Sequence, residues 1–249
     1  MKVLDQGYIK LIETWGSDER VIEAARMSTG KGFNGWGDQG PPCFKVPGSK
    51  VECGKGVVGC PLNHKPGDEK LLAYLYNNKH MTPFEMAGMV IEVKAPIFVF
   101  REWMRHRTQS FNEMSARYIP LPDENYVPTD ERLMMSGGAN KQAQSSGTQL
   151  TEHFAVKFQA ALQRVYSETQ QLYEWAIEIG VPKELARLPV PVARYSRMRA
   201  SANLRNWLQF LTLRMDEHAQ WEIRQYANAV GELIADHFPH TWKLFVGGK

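Results

Sequence analysis

Residues 89–107 read MVIEVKAPIFVFREWMRHR, and this stretch decides the fold. Its first five residues, 89–93, are apolar or β-branched apart from one glutamate, which predicts a strand. Pro96 interrupts that strand, and the residues after it are first apolar and then strongly basic, which predicts a helix. A strand joined directly to a helix, without regular repetition of parallel strand and helix units, is typical of the α+β class.

Upstream of this stretch, the sequence predicts a strand, two helices and a turn. Residues 8–14 mix β-branched and aromatic side chains with polar ones, as a strand does. Ser17 follows as the expected N-cap of a helix, and residues 68–78 place their leucines on one helical face. The segment HMTPFE, residues 80–85, predicts a turn with Pro83 just inside a new helical start.

Downstream, the pattern is mainly helical. Residues 108–118 are polar and are expected to form a loop, whereas residues 149–179 show the period of a long amphipathic helix. Two further helices are predicted over residues 203–213 and 216–237. We therefore expect an α+β fold in which long helices flank a central antiparallel sheet, as a single domain spanning residues 1–249.

An irregular insertion is predicted at about residues 37–67, where Gly, Pro, Cys and Lys dominate. It holds all three cysteines, and an odd number in one stretch disfavours a secreted disulfide framework. The same stretch offers a weak zinc site, but it has no C-x-x-C pair, so we expect reduced thiols and no bound metal. The four zinc candidates are Cys43, Cys53, Cys60 and His64.

Two Gly-x-Gly-x-x-Gly runs begin at Gly30 and Gly54 and suggest a dinucleotide-binding loop. That loop needs a strand before it and a helix after it, so that the pyrophosphate meets a helix N-terminus. The first run follows a helix-like segment, and the second leads into CPLNHKPG, which is no helix. We expect neither run to bind a dinucleotide.

Composition narrows the possible functions of the 249-residue chain. Its 30 Lys and Arg against 27 Asp and Glu give a net charge of +3, too small for binding to nucleic acid or membrane by bulk charge. No apolar stretch approaches the roughly 20 residues of a membrane-spanning helix, and the N-terminus lacks the pattern of a secretory signal. We expect a cytoplasmic protein with no membrane or nucleic-acid partner.

Local charge is far from even. Residues 185–214 hold six arginines, no lysine and no acidic residue, and arginine is the cation suited to bidentate recognition of phosphate or carbonyl groups. This predicts an anion-binding site. A solvated basic face or a set of interface ion pairs would explain the same pattern.

A second basic cluster spans residues 101–118, where arginines alternate with aromatic residues and with hydroxyl, amide and carboxyl groups. Ser110 and Glu113 also fit a helix capping box, which would be a purely structural role. A nucleotide- or single-stranded nucleic-acid-binding module is the alternative from another functional class, since arginine and aromatic side chains bind such ligands. It leaves the acidic and hydroxyl groups without a role.

The run RHRTQSFNEMSARY, residues 105–118, resembles the signature of the flavin-dependent thymidylate synthases, in which Arg-His-Arg is followed after seven residues by Ser, here Ser115. Three other blocks resemble the same family in the same order: HMTPFE, KAPIFVFREWMRHR and LRMDEHAQWEIRQYA. The resemblance implies a homotetramer that methylates dUMP to dTMP. It further implies methylenetetrahydrofolate as carbon donor and FAD, reduced by NADPH, as hydride donor.

The resemblance also implies roles for single residues. Arg214 would polarise the pyrimidine, because the basic motifs contain no cysteine for covalent catalysis. His218, one helical turn further, would lie on the same face and orient Arg214 or approach the flavin. The implied dUMP-binding residues are Glu102, Trp103, Met104, Arg105, Glu113, Met114, Ser115, Ala116, Arg117, Arg187 and Arg214. The implied cofactor-binding residues are Thr82, Arg105, His106, Arg107, Glu113, Asn203, Leu204, Arg205, Gln209 and His218, with His80 near the flavin and folate.

Overall fold

The structure is a computed structural model that describes residues 1–37, 67–135 and 150–248. Its strands form one five-stranded sheet in the order β1-β2-β3-β5-β4. β1 is antiparallel to β2, and β4 is antiparallel to β5, with Ser110 opposite Ser201 and Glu113 opposite Met198. The strands are β1 (Lys2–Val3), β2 (Gly7–Trp15), β3 (Gly88–Pro96), β4 (Ser110–Glu113) and β5 (Tyr195–Asn203).

Helices make up most of the rest of the described residues. A 3₁₀ helix, Met27–Thr29, follows the first α-helix, and another, Thr82–Met86, precedes β3. The α-helices are α1 (Asp18–Arg26), α2 (Glu69–Asn77), α3 (Ile97–Trp103), α4 (Asp130–Met134), α5 (Glu152–Glu178), α6 (Lys183–Ala186), α7 (Leu204–Arg214), α8 (Trp221–His237) and α9 (Pro239–Gly247). No helix within the described ranges is long and apolar enough to cross a membrane.

The chain divides into two compact units. The first comprises Met1–Glu13, Met89–Ala202 and Asn206–Leu233, and it holds most of the sheet together with α3, α5 and most of α7 and α8. In β3, Met89, Ile91, Val93 and Ala95 are buried in alternation with more exposed residues, the pattern of a strand with one covered face.

Side chains from α3, α7 and α8 form much of the core of the first unit. The ring of Trp103 stacks on Phe210 with centroids 4.6 Å apart, and the indole N–H of Trp207 donates to the Met89 carbonyl at 3.1 Å. The Tyr226 hydroxyl donates to the Lys94 carbonyl at 2.9 Å. A Cβ at Gly7 would lie 2.0 Å from that hydroxyl, so only glycine fits there.

The second unit comprises Thr14–Gly88, Asn203–Arg205 and Ile234–Lys249. Ser17 caps α1 by accepting from the Arg20 amide at 3.4 Å, as the sequence predicts. Asp18 is buried and accepts from the backbone amides of His240 and Thr241 at 2.8 and 3.2 Å. A carboxylate from α1 therefore satisfies free amides at the start of α9, a helix that the sequence patterns did not reveal.

Several predictions of fold are confirmed. The class is α+β with an antiparallel sheet, the strand over residues 8–14 is β2, and the long helix over residues 149–179 is α5. The run beginning at Gly30 follows a helical segment, as expected, and not a strand. Most of the insertion predicted at 37–67, with the zinc candidates and the second glycine run, lies outside the described residues.

Other predictions were wrong. Residues 108–118, expected to form a loop, contain the strand β4. Residues 195–203 form β5, a strand that was not predicted because the arginines of this segment were interpreted only as charge. In β5 the exposed arginines at 197 and 199 alternate with buried residues, a period of two that indicates a strand. Ser110 and Glu113 lie in β4, so they form no helix capping box.

Candidate active site

Arg214 is the last residue of α7, where the helix dipole favours a cation. Its Nε–H donates to His106 Nε2 at 2.9 Å. Its two terminal nitrogens donate to Glu102, one to the side-chain Oε2 and one to the backbone carbonyl, both at 3.1 Å. Of the five N–H groups, these bonds use three, and each terminal nitrogen keeps one N–H without an acceptor among the described residues. The Arg214 side chain is 19% exposed, so these bonds hold it in place without closing it off completely from solvent.

His106 follows α3 and is buried, with its ring edge-on to Phe210 at a centroid distance of 5.0 Å. Because its Nε2 accepts from Arg214, the ring proton is assigned to Nδ1. Burial, and then the charge of Arg214, lower the pKa of His106 to about 4. The imidazole is therefore neutral at physiological pH and leaves the charge of Arg214 undiminished.

Glu102 and Trp103 fix the end of α3. Burial raises the pKa of Glu102, and the nearby Arg214 guanidinium opposes the rise. The Trp103 indole N–H donates to Gln109 Oε1 at 3.0 Å, both side chains being buried. This bond links the turn after α3 to the helix and stabilises the segment that carries the Arg-His-Arg motif.

The two motif arginines beside His106 have a different environment. Arg105 and Arg107 are exposed, and neither forms an ion pair with any residue in the ranges 1–37, 67–135 and 150–248. Two uncompensated guanidinium groups on one tight turn suit an anionic ligand that arrives from outside the chain.

The segment after β4 is held mainly by backbone contacts. The Met114 amide donates to the Arg197 carbonyl at 2.8 Å, and Ser115 Oγ accepts from the Arg117 amide at 3.3 Å. Ala116 is buried. Ser115 therefore stabilises the turn. Within the described residues, no base contacts its hydroxyl to activate it as a nucleophile.

Three arginines of the basic clusters meet acidic groups near β4. Glu113 interacts electrostatically with Arg101 and Arg187, which oppose the rise of its pKa caused by desolvation. Arg117 forms an ion pair with Glu184 at 3.0 Å, where both side chains are more than half exposed. Arg187, from the downstream cluster, is therefore near enough for its charge to act on Glu113 of the motif.

The prediction for His218 was wrong in its geometry. α7 ends at Arg214, so His218 does not lie one helical turn further on the same face. Its Nδ1 and its backbone amide instead contact Asp216 Oδ1, at 2.7 and 2.8 Å, and its ring is exposed. The residue that contacts Arg214 is His106, from a motif 108 positions earlier.

Other predicted cofactor residues lie on both units. Gln209 is exposed on α7 in the first unit. In the second unit, Arg205 forms an ion pair with Glu85, and Leu204 is buried with its amide donating to the Ala87 carbonyl at 2.7 Å. The remaining members of the second unit are Thr82, exposed at the start of its 3₁₀ helix, His80, whose ring is edge-on to Tyr74, and Asn203, the last residue of β5.

Sequence reasoning missed two contributors to this region. Gln109 forms a hydrogen bond with Trp103, and Asp216 forms one with His218. In both cases the partners are close in sequence, so a polar residue near Trp103 or His218 could have indicated the contact. Within the described ranges, no group of three or more His, Cys, Asp or Glu side chains is arranged to hold a metal ion.

A sequence model described as thymidylate synthase complementing protein matches residues 10–240. The chain belongs to this family. Its relatives in the family include proteins named flavin-dependent thymidylate synthase. That of Thermosipho melanesiensis is 34% identical over 248 residues, covering 98% of this chain and 93% of the relative. That of Thermus thermophilus is 37% identical over 243 residues, covering 98% and 77%.

The thymidylate synthase complementing fold is also found in a solved structure, a UMP/dUMP methylase, PolB, from Streptomyces cacaoi bound with 5-Br UMP. It is 28% identical to this chain, with a TM-score of 0.76, and the match covers 99% of this chain and 96% of that one. The same methylase bound with 5-Br dUMP matches equally well, with a TM-score of 0.76.

Proposed function

We propose that this chain is a flavin-dependent thymidylate synthase that converts dUMP to dTMP in the cytoplasm. Methylenetetrahydrofolate would give the carbon, and FAD, reduced by NADPH, the hydride. Family membership and the names of the relatives support the reaction class. The observation that carries the proposal is Arg214, a guanidinium held by three bonds, each of whose terminal nitrogens keeps one N–H without an acceptor among the described residues.

The reaction replaces the hydrogen on C5 of the uracil ring with a methyl group. The C5 hydrogen leaves as a proton, and a methylene unit plus a hydride make the methyl, so the folate leaves as tetrahydrofolate. A bound reduced flavin would supply the hydride. What the protein must do is increase the electron density at C5, since that carbon has to attack the methylene unit.

Arg214 is suited to this task. Two N–H groups aimed at a carbonyl edge of the pyrimidine stabilise negative charge on the ring without a covalent bond to the protein, and such preorganised donors contribute several kcal/mol. The sequence holds cysteines only at 43, 53 and 60, none of them in the segments that build this site. We therefore infer a mechanism without a cysteine nucleophile.

The dUMP phosphate and ribose need cations and hydrogen-bonding groups. The exposed residues Arg105, Arg117 and Arg187 supply the cations, and the charge of Arg187 acts on Glu113. The side chains and backbone of residues 102–105 and 113–117 would line the rest of the nucleotide pocket. We retain all the implied dUMP-binding residues as part of the proposal.

An anionic dinucleotide such as FAD fits the residues present. Arg105 and Arg107 are exposed, two positions apart and without carboxylate partners in the described ranges, as a pyrophosphate requires. Gln209, exposed on α7 in the same unit, adds a donor and an acceptor. His106, through Nδ1–H, and His218, through Nε2, keep one ring nitrogen each for such a ligand.

A homotetramer is part of the proposal, and a seam on α5 supports association of copies. The seam residues follow the 3.5-residue period of helices that pair side by side, and each is between 46% and 58% exposed in the single chain. We expect light scattering to give four chains per particle, and Leu172→Glu to give smaller particles. The seam consists of Phe154, Phe158, Val165, Leu172, Trp175 and Ile179.

Tritium release from dUMP labelled at C5 tests the proposal. Purified protein would receive FAD, NADPH and methylenetetrahydrofolate, each omitted in turn, with Arg214→Ala beside the wild type. We expect release only when every component is present and its loss in the variant. No release with flavin bound would refute the substrate, whereas no release and no flavin would favour the binding-module alternative.

Methylation of UMP is a second candidate, because the structural neighbour is described as a UMP/dUMP methylase. The two substrates differ only in the 2′-hydroxyl of the ribose. The same assay with UMP labelled at C5 separates them through the ratio of their kcat/KM values.

A further inference from the structure

The acceptor for the Nε–H of Arg214 is an imidazole and not a carboxylate. The segment after α3 and the end of α7 meet at this bond, whose 2.9 Å length is typical of a strong hydrogen bond. Arginine side chains on protein surfaces usually turn freely about their last torsions, which costs entropy when they bind a ligand. A three-point attachment removes that freedom before the ligand arrives.

We propose that His106 is a positioning residue for Arg214. Its unprotonated Nε2 holds the guanidinium in the orientation that presents two terminal N–H groups, those without an acceptor in the described part of the chain, to the carbonyl edge of the pyrimidine. The inference rests on the proposed function, in which Arg214 contacts the pyrimidine, and it assigns to His106 a task distinct from contact with a cofactor.

The chemistry of the neutral ring explains why histidine suits this position. A carboxylate there would place a second anion beside Arg214, in addition to Glu102, and would weaken the field at the pyrimidine. An apolar residue would leave Nε–H without a partner and the torsions unrestrained. The charged side chains around His106 are Arg214 from α7 and, through it, Glu102 from α3, and its low pKa of about 4 is consistent with a neutral ring.

Packing fixes the imidazole itself. Phe210, one turn before Arg214 on α7, contacts the His106 ring edge-on and stacks on Trp103. The Trp103 indole is in turn bonded to Gln109. The His106 ring therefore packs against the same helix that carries Arg214, one turn away.

Binding of dUMP to flavin-loaded protein, measured by calorimetry, tests the inference without relying on turnover. A double-mutant cycle compares His106→Leu, Arg214→Lys and the combination with wild type. We expect His106→Leu to weaken dUMP binding about tenfold in the wild-type background and by less than about twofold in the Arg214→Lys background. Equal losses in both backgrounds would overturn the inference, because His106 would then act independently of Arg214.

Steady-state kinetics give a second readout. We expect His106→Leu to reduce kcat by about 10²-fold, and His106→Gln, whose side-chain oxygen also accepts from Nε–H, to restore at least a tenth of the wild-type value. The matched control is His153→Gln, an exposed histidine at the start of α5 that should match wild type. Flavin absorbance is recorded for every variant, and a loss of kcat that follows flavin content alone would overturn the positioning role.

The two proposals fail in different ways. A wild type that binds dUMP but releases no tritium refutes the synthase reaction, while the binding cycle still decides the role of His106. An active wild type with an additive cycle refutes the positioning role and leaves the synthase reaction standing.

Discussion

Arg194 and Arg214 are both held by three contacts within the first unit, yet they differ in what is left over. Arg194, just before β5, is fully buried, and its guanidinium donates to the Pro122 carbonyl at 2.6 Å and to Gln170 at 2.8 Å and pairs with Asp123 at 3.2 Å. Arg214 makes similar bonds, but its side chain is 19% exposed. The two arginines make similar numbers of bonds and differ in exposure, so we expect exposure, and not the number of bonds, to separate a ligand-binding arginine from a structural one.

Arg214→Ala should produce the largest effect. We expect kcat for tritium release to fall by about 10² to 10³-fold, because the donors that face the developing charge are removed. The free energy of unfolding should fall by less than in Arg194→Met, since the Arg214 side chain is 19% exposed whereas that of Arg194 is fully buried. Full activity of Arg214→Ala would contradict the distinction between the two arginines. The control variant is Arg164→Ala, on the exposed face of α5, which should have wild-type activity.

Arg194→Met should reduce the stability of the protein and leave its activity unchanged. Loss of Arg194 leaves the Pro122 carbonyl and Gln170 without their buried donor, so we expect the free energy of unfolding to fall by about 3 kcal/mol. The kcat of the folded fraction should not change. Asp123→Asn should cost less than about 1 kcal/mol, because that carboxylate is half exposed. A stable but inactive Arg194→Met would contradict the structural role.

The pH dependence of the free energy of unfolding reports on the protonation of His106. Its pKa is about 4 in the folded protein against about 6.5 in the unfolded chain, so between these values the unfolded chain binds the extra proton. Stability therefore falls as the pH falls through this window. From pH 7 to pH 5 the wild type should lose about 2 kcal/mol more than His106→Gln in urea unfolding. Parallel curves would show that the imidazole is not held neutral.

Glu184→Gln should give the smallest effect. The ion pair with Arg117 is exposed, so its loss should change the free energy of unfolding by less than about 0.5 kcal/mol. If Arg117 binds the nucleotide phosphate, releasing it from Glu184 should lower the KM for dUMP about twofold to threefold. An increase in KM would show that Glu184 orients Arg117 for binding.

Local signals in the sequence predicted much of the fold. The Ser17 cap, the start of the 3₁₀ helix at Pro83 and the long period of α5 depend on neighbours within a few turns, so they are visible without the structure. β5 was missed because its arginines were counted as charge, although their alternation with buried residues marks a strand.

Local sequence patterns could not predict contacts between residues that are distant in the chain. The bond from Arg214 to His106 spans 108 positions, and the cap that Asp18 provides for α9 spans 222. The motifs suggested Arg214 and His106 as site residues, but they gave His218 the role of orienting Arg214 or approaching the flavin, because a one-turn helical spacing was applied across the gap between two predicted helices. The helix end at Arg214 separates the two side chains.

The position of β4 has a consequence for motion in this protein. β4 lies at the edge of the sheet and is paired on one side only, through four residues, within the described part of the chain. Its outward amides should exchange with deuterium faster than those of β3, which lies between two other strands. A nucleotide that binds residues 113–117 should slow this exchange, so amide protection along β4 would record occupancy of the site before any chemistry takes place.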